Sequence, residues 1–336
     1  MIARYGTAAQ KEKWLKPLLA GEIRSAFLMT EPDVASSDAL NISLRMERRD
    51  DHYLLNGSKW WSSGAGDDRC KVFITFGKTA PDHPDKYRRQ TMMLVAADTP
   101  GITIQRMLSV YGFDDAPHGH AHLTFTNVRV PLDAVVLGEG RGNEIMQGRL
   151  GPGRIHHAMR AVGASERALE LLIHRLNDER KVPFGQPLVD QGVLLEWVAK
   201  ARIEIDATRL VVLNAAIKAD QRDTKFALRE IAEAKVKAPQ VALQVIDRAI
   251  QAHGAMGVCQ DTPLPKLWTH LRTLQIADGP DEAHLRQLGR RENRERKNVI
   301  KAKIDRQQAR TDAMFSGLGV KRTELGAGKF RVKGKL

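Results

Sequence analysis

The feature that most constrains this chain is a change of hydrophobic period. From about residue 25 to 136, apolar residues recur at every second position in short runs. Beyond Gly142 they recur at every third or fourth position in long ones. A period of two suits a strand with one buried face, and a period near 3.6 suits a helix. The short runs predict strands over 26–29, 42–46, 53–55, 59–62, 71–76, 92–96, 102–107 and 122–130. Asn56-Gly57, between two of them, predicts a type I′ hairpin turn. Without strand–helix alternation and without a GxGxxG fingerprint, a dinucleotide-binding doubly wound sheet is not expected. The expected fold class is α+β and multidomain: an antiparallel β-sandwich or barrel-like domain followed by a C-terminal helical bundle.

The helical half carries its own marks. Leu194, Val198, Ala201, Ile205 and Val212 keep one face, as do Ala227, Ile231, Ala234, Ala238, Val241, Val245 and Ala249. Pro239 predicts a kink in the second of these helices. Gly138-Glu139-Gly140-Arg141-Gly142 reads as a domain junction. Ahead of the strands, Thr7 and Gln10 form a capping box, and Trp14, Leu15, Leu18 and Leu19 give a helix over 7–21 an apolar face. That helix has no evident partner and reads as the end of a preceding helical unit. The expected boundaries are 1–24, 25–137 for the β-domain, 138–292 for the bundle, and 293–336 for a basic, disordered tail.

Charge supports that last boundary. Of the net +13, residues 290–336 carry +10, so the rest of the chain is near balance. Such a tail can meet nucleic acid or an anionic membrane, but a solvated, disordered end (316–336 above all) is the expectation, with no specific nucleic-acid partner. Two cysteines without CxxC spacing fit a reducing compartment and an intracellular protein. The first residues hold no apolar leader, and no run of 18 apolar residues predicts a transmembrane span. His156, His157 and His253 lack metal-ligand spacing, so no metal is expected.

Five stretches combine residue types able to do chemistry. Met29-Thr30-Glu31-Pro32, running on to Ser36-Ser37-Asp38, offers hydroxyls and amides to the polar edge of a planar ligand, although Pro, Asp and Ser also make ordinary turns. Trp60-Trp61-Ser62-Ser63 places two tryptophans side by side, so that on a strand one would fill the core and the other face outward. Arg180-Lys181-Val182-Pro183-Phe184-Gly185 puts cations beside a Phe-Gly turn. Gln251-Ala252-His253-Gly254-Ala255 ends a helix with backbone that a ligand can approach closely. Ala277-Asp278-Gly279-Pro280-Asp281-Glu282 is a tight acidic turn. Gly279-Pro280 breaks the helix before it, and Asp281 and Glu282 suit the start of the next.

In their order and spacing these stretches resemble the flavin-dependent acyl-CoA dehydrogenase family. The likeness also runs through Tyr5-Gly6-Thr7, Asn56-Gly57-Ser58-Lys59 and Gly148-Arg149-Leu150-Gly151-Pro152-Gly153-Arg154. Within the family the chain is most similar to the branch of acyl-CoA dehydrogenase family members ten and eleven. The resemblance implies an N-terminal helical domain, here reduced to residues 1–24, a middle β-domain and a helical bundle, assembled as a homodimer or homotetramer around FAD. It implies that Met29, Thr30, Trp61 and Ser63 hold the flavin and that Ser37 lies near acyl-CoA. Lys181, Phe184, Gln251, Gly254, Ala255 and Glu282 would hold the rest of FAD. Arg154 would orient the turn, and Asp278 would act as the base. The implied reaction is α,β-dehydrogenation of a fatty acyl-CoA to a trans-2-enoyl-CoA within fatty acid β-oxidation. Electrons would pass to an electron-transferring flavoprotein or to oxygen. The compartment would be the cytoplasm of a bacterium, or the mitochondrion or peroxisome of a eukaryote.

Two departures stand out. Asp278 occupies a position that is glutamate in many members, which sets its carboxylate back by about 1.3–1.5 Å. Lys181 replaces a usual arginine and lacks its bidentate fork. With most of the N-terminal domain absent, the alternative reading is a truncated, non-catalytic protein that acts through oligomerisation.

Overall fold

The computed structural model describes residues 1–222, 226–318, 321–324 and 330–333. The chain divides into two units, 1–281 and 282–336.

The first unit opens with Ile2–Tyr5 (α1) and Ala8–Gln10 (α2), a π-helical turn Lys11–Leu15, and Lys16–Ala20 (α3). The Thr7–Gln10 capping box forms as expected, and Gly21 closes the helix in the left-handed region. This segment does have a partner. Gln10 Nε2 donates to the carbonyls of Asp133 (2.7 Å) and Val135 (3.0 Å). Trp14, Leu15 and Leu18 pack on a core of Ile42, Val72, Phe76, Met92 and Ile145. Leu19, expected on the apolar face, is 80% exposed.

Seven strands make one sheet: Arg24–Leu28 (β1), Arg45–Arg48 (β2), His52–Ser63 (β3), Cys70–Lys78 (β4), Gln90–Ala96 (β5), Ile102–Met107 (β6) and His120–Pro131 (β7). Their order is β1-β4-β2-β3-β7-β6, with β5 also paired to β4. The sheet is mixed rather than purely antiparallel, because β1 and β2 pair with β4 in parallel. β4 and β5 are buried almost throughout, as strands covered on both faces must be. One face of the sheet packs Leu28, Met46, Leu55, Leu123 and Phe125 together. The other meets the N-terminal helices and the first bundle helix.

Asn56-Gly57 is not a hairpin turn. β3 runs through it as a single strand of 12 residues, with a register shift between Leu55 and Gly57. Gly57 has φ +143°, and a Cβ there would come within 3.0 Å of the Leu44 main chain. The dipeptide therefore marks a bulge where two backbones touch.

The bundle comprises Gly142–Leu176 (α4), Gly192–Gln221 (α5), Leu228–His253 (α6) and Leu264–Leu274 (α7). Leu194, Ala201, Ile205 and Val212 are buried, as is every position of the second predicted stripe from Ala227 to Ala249. α6 continues through the buried Pro239 as one helix.

The second unit contains nearly all of the last helix, Asp281–Gly317 (α8), and an antiparallel pair, Lys321–Glu324 (β8) and Phe330–Lys333 (β9). The expectation of disorder from residue 293 therefore fails as far as Gly317. Apolar patterning fades there, but strong helix formers remain, and ion pairs four residues apart (Arg291–Glu295, Glu292–Arg296, Lys301–Asp305) brace the exposed turns. Of the stretch 316–336 expected to be disordered, residues 319–320, 325–329 and 334–336 lie outside the described residues. Among the described residues no helix is long and apolar enough to cross a membrane.

Candidate functional site

The first cluster is built on β3. Lys59 falls in phase with Tyr53 and Leu55, so the strand drives an ammonium into the core, where it is fully buried. An isolated charge there would be prohibitive, and Glu31 answers it at 2.7 Å. Lys59 Nζ also donates to the Met29 carbonyl at 2.8 Å. Glu31 accepts further bonds from the Ser43 amide (2.5 Å), the Ser43 hydroxyl (2.6 Å) and the Leu44 amide (2.9 Å). Burial pushes Lys59 down to about 8, more than Glu31 lifts it. Burial pushes Glu31 up, but Lys59 and its hydrogen-bond donors outweigh that and hold it below the usual carboxylate range. Both remain charged at neutral pH. The loop at 29–31 is thereby pinned from beneath, and Trp60 N donates to the Thr30 carbonyl at 3.0 Å. Met29 and Thr30 are half-buried at its surface, and Ser37 is exposed further along.

The tryptophans do not alternate as expected. A register shift between Lys59 and Ser62, with Trp61 at φ +50°, throws both rings out of the core. Lys59 and Ser62 are the buried residues, while Trp60 is half-buried and Trp61 is 40% exposed. Trp61 lies against His120, ring centroids 5.6 Å apart, and Ser63 Oγ is 2.8 Å from His120 Nδ1. Trp60 Nε1 and the neighbouring His122 Nδ1 are buried without a hydrogen-bond partner. An exposed indole, a half-buried thioether and nearby hydroxyls suit a flat ring with a polar edge, as a flavin is.

The second cluster is the turn after α7. Asp278 adopts φ +55° and Gly279 φ +99°. Strain of that kind in a non-glycine residue persists only where its surroundings enforce it. Arg154, on α4, donates from Nε to the Asp278 carbonyl at 2.9 Å. Lys235, on α6, donates to the Gln275 carbonyl at 3.3 Å and to Asp281 Oδ1 at 2.8 Å. Asp281 therefore starts α8, but its carboxylate serves a buried ion pair rather than a simple cap. The Asp278 carboxylate is 18% exposed, 3.8 Å from Arg149 Nη1 and 3.7 Å from His157 Nε2. Burial lowers the His157 pKa despite the pull of Asp278, so the ring is neutral at neutral pH. Arg154, His157, Lys235 and Asp278 line a small cleft.

Arg149 joins the two clusters. Its guanidinium sits 4.3 Å from the ring centre of Phe27, two residues before Met29, while also facing Asp278. Sequence reasoning missed this role, and those of His157 and Lys235. The Lys59 signal was present in the strand phase.

The remaining predicted residues form a different kind of surface. Phe184 is fully exposed at φ +54°, and Lys181 is exposed beside it. Gln251, Gly254 and Ala255 are exposed at the end of α6. Arg175 ties the end of α4 to the end of α6 through the carbonyls of Ala252 (3.2 Å) and His253 (3.4 Å). Glu282 is exposed in the first turn of α8, in the second unit.

Comparison with known proteins bears directly on this site. The acyl-CoA dehydrogenase middle domain matches residues 26–128, and the acyl-CoA dehydrogenase C-terminal domain matches residues 140–292. The probable acyl-CoA dehydrogenase IBR3 of Arabidopsis thaliana is 53% identical over 292 residues, 87% of this chain. This chain spans 35% of that relative's length. The probable acyl-CoA dehydrogenase FadE2 of Mycobacterium tuberculosis is 50% identical over 304 residues, covering 90% of this chain and 74% of that protein. Among solved structures, a Mycobacterium abscessus protein assigned as an acyl-CoA dehydrogenase superposes with a TM-score of 0.85 at 51% identity, over 88% of this chain and 72% of that one.

Proposed function

Since this chain belongs to the acyl-CoA dehydrogenase family, we propose that it is an FAD-dependent dehydrogenase of fatty acyl-CoA, or the catalytic part of one. The observation that carries this reading is the Arg154-held turn, which presents Asp278 to a cleft that Arg149 links to the strand leading into Met29.

Asp278 removes the α-proton of the acyl thioester. That proton is weakly acidic, so the base must be aimed, and hydrogen bonds must meet the charge that develops on the thioester oxygen. The Asp278 amide is one such donor. Arg154 orients the turn through the main chain. Arg149 stands 3.8 Å from the Asp278 carboxylate, Arg154 and Lys235 also act on it electrostatically, and burial keeps His157 neutral. Bound FAD supplies the acceptor for the hydride that leaves the β-carbon. Met29 and Thr30 would hold the flavin edge, Trp61 and Ser63 would flank and hydrogen-bond the ring, and Ser37 would lie near the pantetheine. Lys181, Phe184, Gln251, Gly254 and Ala255 would hold the adenosine diphosphate half of an adjoining subunit's FAD, and Glu282 falls where the family often has a glutamine that contacts FAD. Their exposure suits a site completed by a second copy in a homodimer or homotetramer. The product is a trans-2-enoyl-CoA, and electrons leave to an electron-transferring flavoprotein or to oxygen.

The test is purification, or refolding with excess FAD, followed by anaerobic addition of acyl-CoA. A yellow protein whose flavin bleaches supports the proposal, and a protein that stays colourless contradicts it. Yellow protein that does not bleach, and that co-purifies with a longer paralogue, favours a non-catalytic partner instead.

A further inference from the structure

Behind Ser63 a hydrogen-bonded chain runs from the sheet into the bundle. Ser63 Oγ lies 2.8 Å from Nδ1 of His120, at the start of β7. His120 Nε2 lies 2.9 Å from Asp115 Oδ2. The other carboxylate oxygen, Oδ1, lies 3.2 Å from Nε2 of His270 on α7 and 3.8 Å from Nζ of Lys266, one turn earlier. The His120 and Asp115 side chains are mostly buried. Main-chain bonds on either side, Gly64 N to the Gly119 carbonyl (3.0 Å) and Leu108 N to the His120 carbonyl (2.8 Å), hold the strand in place.

An ionised Asp115 orders the bonds around a neutral His120 ring. Burial pushes the Asp115 carboxyl up, but the bonds and charges from His120 and His270 outweigh it and hold the group below its ordinary range. Ionised, it can only accept. His120 Nε2 must therefore carry a hydrogen. In the neutral ring Nδ1 is then a lone-pair acceptor, and the Ser63 hydroxyl donates to it. Ser63 is left to present oxygen lone pairs, rather than its proton, to whatever lies against it and Trp61.

We propose that His120, oriented by Asp115, is a positioning residue that fixes Ser63 as a hydrogen-bond acceptor at the flavin edge, so that the site favours the reduced flavin, whose edge carries an N–H where the oxidised ring has a bare nitrogen. The inference rests on the FAD reading above. It assigns Asp115 and His270 a purpose that spans the sheet and the bundle: they set the tautomer of an imidazole that in turn sets the polarity of one hydroxyl.

The experiment measures the midpoint potential of flavin bound to the full chain, for the wild type, Ser63→Ala, His120→Phe and the double variant. Each single change should lower the reduced-to-oxidised ratio at a given potential about tenfold, equivalent to about 30 mV for a two-electron couple. The double variant should lower it no further, because both changes break one chain. Independently of any variant, the ring-nitrogen NMR signals of wild-type His120 should report the Nε2–H tautomer. Bound flavin with an unmoved potential, additive shifts, or an Nδ1–H tautomer would each overturn the inference and leave the FAD reading standing. Wild-type protein that takes up no FAD would overturn both.

Discussion

Two lysines perform the same task in two unlike domains. Lys59 in the sheet and Lys235 in the bundle each reach one carboxylate and one main-chain carbonyl of a loop: Glu31 with Met29, and Asp281 with Gln275. The sheet clamp is sealed, with side chains 0% and 2% exposed, and Glu31 takes three further hydrogen bonds. The bundle clamp is looser, at 5% and 8%, and it lies beside the cleft that holds Asp278. A buried ion pair costs desolvation that its attraction barely offsets, so both are better read as devices for geometry than for net stability. The difference teaches where geometry must be absolute. The platform under Met29 and Thr30 is locked, whereas the turn carrying Asp278 keeps a polar, partly open neighbourhood.

That comparison is broken most forcefully at Lys59. Lys59→Met leaves Glu31 buried without its counter-charge and should cost about 3–5 kcal/mol, read by denaturant unfolding. Lys235→Met should cost less, about 3 kcal/mol, since Asp281 is nearer to water. It should also slow flavin reduction while leaving FAD bound. Equal losses at the two sites would erase the distinction between locked and open clamps. Arg154→Ala removes a charged donor to the Asp278 carbonyl and should cost about 2 kcal/mol. A displacement of the carboxylate by about 1 Å would add a rate loss of about 100-fold.

The smallest effect expected comes from pH. Burial holds His157 and His253 below their ordinary pKa. Between those lowered values and about 6.5 the unfolded chain binds more protons than the folded one, so stability falls on acidification through that window and levels off below it. A thermal scan at pH 5.5 should give a Tm about 2 °C below that at pH 7.5, and His253→Gln should shrink the gap. A Tm indifferent to pH over this range would show that these imidazoles are not held neutral.

Much of the architecture was legible because burial leaves a period. The α6 stripe from Ala227 to Ala249 could be read in the sequence and is buried throughout. What misled was local chemistry that tertiary contact overrode. Asn56-Gly57 signals a turn, but here Leu44 presses against its backbone and makes it a bulge. Trp60 and Trp61 should straddle the sheet, but the second bulge turns both out and leaves Lys59 in the core. Ion-paired, highly helical residues kept α8 going where apolar spacing ended. At the site, Asp278 and Arg154 could be named from the turn and the family likeness. Arg149 and His157, both on α4, meet the Asp278 carboxylate, and Lys235, on α6, meets Asp281; no spacing in the chain ties these helices to the turn.

The central claim is that Asp278 is the base of a flavin site that this chain can assemble. It is tested most directly by the anaerobic rate of flavin reduction by acyl-CoA in wild-type protein and in Asp278→Asn. Asparagine keeps the size of the side chain and the main-chain bond to Arg154, but it cannot take a proton. The account predicts that the variant binds FAD as the wild type does and that its flavin stays oxidised. Reduction at the wild-type rate would contradict it.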